Sequence, residues 1–337
     1  MEATIKRLIE DEIEFINFQF TTSDGAIRQL INPARDMETL LSQGLGFDGS
    51  SCKYVPVNKS DLCLKPDLST YRVLPWGRPE NKTASFICDV FSGDGSTPFE
   101  FDPRGMLKRL ISEMKDEFGQ GWDLMLAPEI EFFLLDKDEN GNYIPADKAS
   151  YFEIPPYDKG CEFRKDISRA LDSVGIGTEK NHHEVPPGKH EITFGYGDAL
   201  SIADQTMVYR QIVKQMAAQQ GLIACFMAKP FDWTYGCGMH VHLNLKDSQE
   251  NVNLFLDESN ADYLSNTARY FIAGLLGHAK GLTGITNPSV NSYKRLVPGW
   301  EAPVYISWGF GNRSSLLRIP EGNPKAIRVE TRNPDSS

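Results

Sequence analysis

No run of lysine or arginine occurs anywhere in the 337 residues, and the formal net charge is −11. Nucleic-acid binders normally show a basic face, so that class is set aside, and any phosphate contact has to be local. Long apolar stretches are missing too: nothing approaches the roughly 20 residues needed to cross a bilayer. Met1 to Glu12 is charged and carries no apolar signal segment, so a cytoplasmic protein without a membrane role is expected. Cysteine is scarce: Cys52, Cys63, Cys88, Cys161, Cys225 and Cys237 show neither CxxC spacing nor the density of a disulfide scaffold. They read as reduced thiols, and the Asn-X-Ser/Thr triplets at Asn58, Asn81 and Asn312 as chance matches. Internal repeats and low-complexity segments are also lacking. What remains, 40% hydrophobic and 11% aromatic residues, is ample for the core of an enzyme of one large or two unequal domains.

What is present is a set of ionisable residues spaced two apart. Glu129/Glu131, His240/His242/Asn244 and Arg328/Glu330/Arg332 have this spacing, with Glu184 and His190-Glu191 between them. Successive side chains on a strand face opposite ways, and the alternate positions here are apolar: Leu126, Ile130, Phe132 and Leu134, then Val241, Leu243 and Leu245. The ionisable sides are therefore predicted to face one shared site. Two carboxylates two apart on a buried strand repel, and desolvation makes each ionised form costly unless a positive charge compensates. Glu129, Glu131, Glu184, Glu191 and Glu330 with one or two imidazoles form an oxygen-rich set. Such a set suits Mg2+ or Mn2+ rather than zinc, which favours thiolates and several imidazoles. A solvated strand face would explain Glu129/Glu131 alone about as well; the other runs make it the weaker reading.

Turn and cap signals predict a β-rich part over residues 1–100 and an α/β part over 101–337. Ile16, Phe18 and Phe20 alternate before Ser23-Asp24-Gly25, and Ala26–Ile31 returns as the second strand of a hairpin. Ala84–Phe91 reads as another strand ending at Ser92-Gly93-Asp94-Gly95, after a loop-like stretch from Tyr71 to Thr83. Asp102 as N-cap and Pro103 at the first helical position open a helix over Gly105–Phe118. Beyond it, strands over 123–135, 190–194 and 239–245 alternate with helices over 162–174, 198–220 and 260–283. Asn287–Pro303, without period and studded with Pro, Gly and Asn, reads as a long functional loop. Arg295, Arg313, Arg318, Lys325, Arg328 and Arg332 concentrate positive charge near the acidic runs. That suggests an anionic substrate, such as a nucleotide phosphate plus a carboxylate. Plain salt bridging could account for the Arg328/Glu330/Arg332 trio, but poorly for Arg295 and Arg313.

The order of motifs is specific. Phe47-Asp48-Gly49-Ser50-Ser51, Pro128-Glu129-Ile130-Glu131-Phe132-Phe133, His182-His183-Glu184-Val185 with Gly188-Lys189-His190-Glu191-Ile192, and Gly238-Met239-His240-Val241-His242 come first. The Asn287–Pro303 block, Asn312-Arg313-Ser314 and Arg328-Val329-Glu330-Thr331-Arg332 follow. Together they resemble the class I glutamine synthetases, from the hairpin to the last residues. The resemblance implies an α+β fold: a small β-grasp-like N-terminal domain, then a larger catalytic domain with an antiparallel half-barrel sheet. It implies a homo-oligomer of hexameric rings, a dodecamer in the family, with active sites shared between subunits. The implied activity is ATP-dependent ligation of ammonium to the γ-carboxylate of L-glutamate through γ-glutamyl phosphate.

Residue by residue, the resemblance implies that Glu131, Glu184 and Glu191 hold one Mg2+ or Mn2+, and Glu129, His240 and Glu330 a second. Arg295 and Arg332 would grip glutamate, with Gly236 lining its loop. Arg313 and Arg318 would stabilise the transferring phosphoryl group, Arg318 belonging also with the ATP contacts Glu179, Tyr196, His242, Lys325 and Arg328. Asp48, from the adjacent subunit, and Glu301, on the mobile flap, match the ammonium site. Four departures stand out. Lys189 replaces the usual neutral amide and puts a cation beside a metal ligand, weakening that site if it turns inward. Tyr235 and Cys237 replace the family's Asn and Ser before Met239, and Asn244 stands where a Ser contacts nucleotide. The chain also stops at Ser337, before the family's C-terminal helical region, so a truncated or naturally short form is expected. A γ-glutamyl ligase using a larger amine and a non-catalytic truncated relative are the alternatives.

Overall fold

The computed structural model describes residues 1–77 and 79–337; residue 78, within the predicted loop Tyr71–Thr83, lies outside the described residues. The chain forms two compact units, one of Met1–Met114 with Ser173–Gly175, the other of Lys115–Asp172 with Ile176–Ser337.

The first unit contains α1 (Glu2–Glu10), β1 (Phe15–Thr21), β2 (Ile27–Pro33), α2 (Met37–Gln43), β3 (Leu45–Asp48), β4 (Asp61–Pro66), β5 (Arg72–Val73) and β6 (Thr83–Ser92); α3 (Pro103–Phe118) begins in it. Its sheet runs β2-β1-β6-β4-β3, with β5 also on β6. The first and last long strands, β1 and β6, lie parallel side by side, Phe15 opposite Thr83, which is the β-grasp pattern. The expected hairpin forms with Phe15 opposite Pro33, turning at Gly25, whose φ of +74° is one that glycine adopts without strain. Ile16, Phe18, Leu64, Ala84 and Phe86 are fully buried against α1 residue Leu8. The Asp102 carboxylate accepts the Gly105 amide at 3.1 Å, so the predicted cap is made.

Arg104, on α3, reaches Asp67 at 2.7 Å and Asp89 at 2.6 Å with its own side chain 6% exposed. Burial pushes the Asp67 carboxyl up, but hydrogen bonds from Ser69 and Arg104 outweigh it and hold its pKa down to about 2. A depressed folded-state pKa means that the unfolded chain binds the proton first. The stability from Asp67 is therefore complete above the ordinary aspartate value of ~3.9 and is lost as pH falls toward about 2. In urea unfolding, Asp67→Asn is expected to lower the midpoint at pH 6 and to flatten its decline across this window. A variant whose acid decline matches the parent's would remove Asp67 as its cause.

The second unit is built on β7 (Trp122–Lys137), β8 (Tyr143–Pro145), α4 (Cys161–Ser173), β9 (Thr178–His183), β10 (Lys189–Phe194), β11 (Gly197–Asp198), α5 (Ala199–Gln219), β12 (Ile223–Cys225) and β13 (Met239–Asp247). It continues with β14 (Val252–Asn253), α6 (Asn266–Gly277), α7 (Ala279–Thr286), α8 (Val290–Arg295), β15 (Trp308–Phe310), β16 (Leu317–Ile319) and β17 (Val329–Thr331). The half-barrel sheet runs β15-β16-β17-β13-β7-β10-β9 and is antiparallel except between β15 and β16. The apolar face of β7, Ile130, Phe132 and Leu134, is buried. Phe132 packs on Phe163 of α4 and on Phe226, and Tyr209 of α5 stacks on Phe194 at 5.1 Å. The α5 N-cap is Asp198, which accepts the Ser201 amide at 3.0 Å.

Two expectations are corrected. The helix over 260–283 is two helices: Ser265 caps α6 by accepting the Ala268 amide at 3.1 Å, and the chain breaks at His278 before α7. The apolar period runs across the break and hides it, whereas the Ser265 cap was readable. Asn287–Pro303 is not all loop, because Ser289 and Ser292 cap α8 reciprocally, each hydroxyl accepting the other's amide, at 3.1 and 3.2 Å. Among the described residues no helix is long and apolar enough to cross a membrane.

Candidate active site

Strand register assembles the acidic runs. Glu131 of β7 lies opposite Glu191 of β10, Glu129 opposite His240 of β13, and His242 opposite Glu330 of β17. On β13 the ionisable side is the more buried one: His240 and His242 are each 7% exposed, while Val241 and Leu243 are only half-buried. This face is the inside of the curled sheet, not a wet surface.

Two cavities open here. One, of about 550 Å³, is lined by Glu129, Glu179, Lys180, Tyr196, His242, Asn244, Lys325 and Arg328 among others. Every residue expected to contact nucleotide is in it except Arg318. The second, of about 380 Å³, has Glu129, Glu131, Glu184, Glu191, His240, Glu301, Arg313, Arg318 and Arg332 in its wall, with Tyr151, Phe152, Lys180 and His182. Glu129 and Lys180 line both cavities.

Along these walls, with Glu330 fully buried behind them, the donors gather into two triads, each with its ligand atoms within 4.8 Å of one another: Glu129/His242/Glu330 and His182/Glu184/Glu191. Their make-up differs from the sequence expectation by one residue each. His242 Nε2 is 3.1 Å from Glu129, whereas His240 Nδ1 is 3.5 Å from Glu129 and 3.7 Å from Glu330. Residues 240 and 242 point the same way, so either imidazole can reach. In the other triad His182 stands in place of Glu131, whose Oε2 instead faces the Lys189 ammonium at 2.7 Å. Both donor sets, carboxylates with one imidazole, fit a hard or borderline divalent cation.

The charges support that fit. Burial raises the Glu129 carboxyl, yet hydrogen bonds from His240 and His242 outweigh it and hold its pKa well below the ordinary range. Glu184 is likewise raised by burial but brought down to about 2 by the His182 hydrogen bond and the Lys189 charge. Glu191 goes the other way: burial and the charges of Glu129, Glu131 and Glu184 push it well above the ordinary value. A site that cannot ionise its third carboxylate unaided is one that a cation would complete.

The remaining candidates have defined partners. Arg332, 1% exposed, donates to Glu330 and, at 2.9 Å, to the Arg313 carbonyl; Arg318 donates to the other Glu330 oxygen at 2.6 Å. Arg295 does not line the second cavity: it donates to the carbonyls of Asn333 at 2.9 Å and Arg332 at 3.1 Å. Gly236 packs beneath it, where a Cβ would run into the Ala228 carbonyl oxygen. Glu301 is exposed on the cavity rim with a φ of +56°, a left-handed backbone that costs a non-glycine residue about 1 kcal/mol. Asp48, in the other unit, is exposed and accepts hydrogen bonds from the Ser50 amide and the Ser50 and Ser51 hydroxyls, a local turn pattern.

Family comparisons decide what this arrangement belongs to. Residues 12–93 match the model "Glutamine synthetase, beta-Grasp domain", and residues 100–337 match "Glutamine synthetase, catalytic domain". The chain belongs to the glutamine synthetase family. It is 45% identical to the Thermotoga maritima glutamine synthetase, covering 99% of this chain and 76% of that one. Against the Methanococcus voltae glutamine synthetase the identity is 43%, with the same coverages of 99% and 76%. The Plasmodium falciparum glutamine synthetase structure superposes with a TM-score of 0.89 at 28% identity, covering 99% of this chain and 71% of that one. A complex of GmaS with ADP gives 0.86 at 34% identity, covering 100% and 77%.

Four residues that line these cavities, Lys180, His182, Tyr151 and Phe152, were not singled out from the sequence. The first two had a signal, since Lys180 and His182 are two apart on β9 and share a face with the site. Tyr151 and Phe152 stack on each other at 3.9 Å from a segment with no strand or helix period. The family departures find partners here: Asn244 accepts the Tyr196 hydroxyl at 3.0 Å, Tyr235 packs edge-on to Trp300 at 5.2 Å, and Cys237 is fully buried.

Proposed function

We propose that this chain joins ammonia to the γ-carboxylate of L-glutamate at the expense of ATP, forming glutamine, ADP and phosphate. The observation that carries this reading is the junction of the two cavities at Glu129 and Lys180. A nucleotide in the larger cavity and an amino acid in the smaller would meet there. Glu179, Tyr196, His242, Lys325 and Arg328 would hold the nucleotide, while Arg332, with Arg295 and Gly236 behind it, would orient glutamate. We further propose that Asp48 is supplied by a neighbouring subunit of a ring-shaped homo-oligomer, that the domains divide at 100/101, and that the enzyme is cytoplasmic.

A carboxylate does not react with an amine at neutral pH, so its oxygen must first be phosphorylated. The γ-carboxylate oxygen attacks the γ-phosphorus of ATP, the bond to the ADP oxygen breaks, and γ-glutamyl phosphate forms. Arg313 and Arg318 would spread the charge of the transferring group. Two bound Mg2+ or Mn2+ ions, held by the two triads, would supply further charge neutralisation. Asp48 and Glu301 would bind ammonium and take its proton; the freed ammonia attacks the acyl carbon and phosphate leaves. Closure of the Asn287–Pro303 segment over the site would keep water from the acyl phosphate.

Phosphate release by the purified chain with ATP, Mg2+ and ammonium, with and without glutamate, tests this. Glutamate-dependent release with ammonium as the preferred amine is the expected result. Release only with a larger amine would replace ammonium as the substrate, and no glutamate-dependent release from folded protein would overturn the reading.

A further inference from the structure

Lys189 is buried beside the acidic cavity, where its neighbour Glu131 lines the wall: its side chain is 5% exposed and its ammonium lies 2.7 Å from Glu131 Oε2. Strand alternation puts it there, since Lys189 and Glu191 are two apart on β10 and share the sheet face that carries Glu131, the partner of Glu191 on β7. The same Glu131 oxygen accepts the Gly238 amide at 2.5 Å, so it already has two donors. Glu131 is correspondingly absent from the close triad, which His182, Glu184 and Glu191 complete without it. His182 Nε2 is 2.9 Å from Glu184 Oε1.

We propose that Lys189 is a built-in cation that withdraws Glu131 from metal coordination, leaving His182, Glu184 and Glu191 as the protein ligands of the glutamate-side metal. A metal that recruited Glu131 Oε2 would have to evict the ammonium, and separating a buried ion pair leaves an uncompensated charge; even through Oε1, Glu131 stands outside the close triad. The donor set therefore carries two carboxylates and one imidazole rather than three carboxylates. It attracts a dication less strongly, and its imidazole favours Mn2+ over Mg2+, which prefers all-oxygen ligation.

The inference rests on the two-metal ligase reading, but its test needs no turnover. Mn2+ titrated into the purified 337-residue chain, with free Mn2+ read by electron paramagnetic resonance, gives the number of sites and their dissociation constants. Lys189→Gln, which restores a neutral amide, is expected to tighten the weaker site by about 10-fold, the scale on which groups behind a ligand tune metal affinity. Glu131→Gln should leave that site within about 3-fold of the parent, while His182→Gln weakens it by about 10-fold or more. Loss of the site in Glu131→Gln, with Lys189→Gln and His182→Gln unchanged, would show that Glu131 is the ligand and overturn the proposal. Should Glu131→Gln not fold, as judged by circular dichroism, the His182→Gln titration carries the test, because only the proposed donor set includes that imidazole. Mn2+ binding in the expected pattern without glutamate-dependent phosphate release would remove the ligase reading and leave the site. Turnover with Glu131-dependent binding would do the reverse.

Discussion

Replacing Glu129 by glutamine is expected to lower glutamate-dependent phosphate release by about 1000-fold or more, equivalent to about 4 kcal/mol of barrier. Glu129 belongs to one donor triad that could hold a metal, lines both cavities and faces both His240 and His242. The amide keeps the volume and removes the charge, so a metal held by that triad would lose a ligand and His242 its carboxylate at 3.1 Å, while His240 keeps Glu330 at 3.7 Å. The control is the unfolding midpoint: the fold should survive, because neither histidine then borders an uncompensated buried charge. Steady-state phosphate assays on folded Glu129→Gln settle the matter, and turnover within about 10-fold of the parent would place the phosphoryl transfer elsewhere.

Stability should suffer most at Asp158. It makes a two-pronged pair with Arg164, at 2.6 and 3.0 Å, and the two side chains are 2% and 4% exposed. Arg164 also contacts His190 Nδ1 at 2.9 Å and donates to Asn181 Oδ1 at 3.1 Å. Burial and the neighbouring Arg164 charge bring the His190 pKa down to about 3, so His190 is neutral and cannot replace the carboxylate. Asp158→Ala therefore strands a buried guanidinium among uncharged partners, and a loss of about 3–5 kcal/mol is expected. Asp158→Leu combined with Arg164→Met should cost less than Asp158→Ala alone, since it removes both charges. Urea unfolding of the three proteins checks this, and a double variant less stable than the single one would refute the account. His190 and Asn181 sit on β10 and β9, the strands that also carry Glu191 and His182. This pair thus braces the His182/Glu184/Glu191 donor triad from behind.

Much of this was legible before any coordinates. Period-two spacing predicted that Glu129, Glu131, His240, His242 and Glu330 share a face, because a strand permits no other arrangement once its alternate residues are apolar. The hairpin at Gly25 and the cap at Asp102 were equally readable, since local turn and cap chemistry decides them. Partner choice within the face was not. Whether Glu131 meets a metal or Lys189, and whether His240 or His242 closes on Glu129, depends on strand register and fractions of an ångström. The split of 260–283 into two helices was missed because apolar period continues across His278. Tyr151 and Phe152 belong to an irregular segment, where sequence carries little signal about which way a ring will point.

The sixteen-residue strand β7 has a consequence for how this gene can change. Its central residues are bonded to β10 on one side and β13 on the other, and its two faces divide acid from hydrocarbon. Inserting or deleting one codon between Pro128 and Leu134 would turn Glu129 or Glu131 into the core and Ile130 or Phe132 out into the site. An inherited length change there would have to come in pairs of residues to keep each face its own, and even then would shift the partner of every carboxylate. The turn just beyond, exposed at Glu139, Asn140 and Gly141, faces no such parity rule. Drift by insertion should therefore accumulate at the tip of this hairpin and stay out of its shaft.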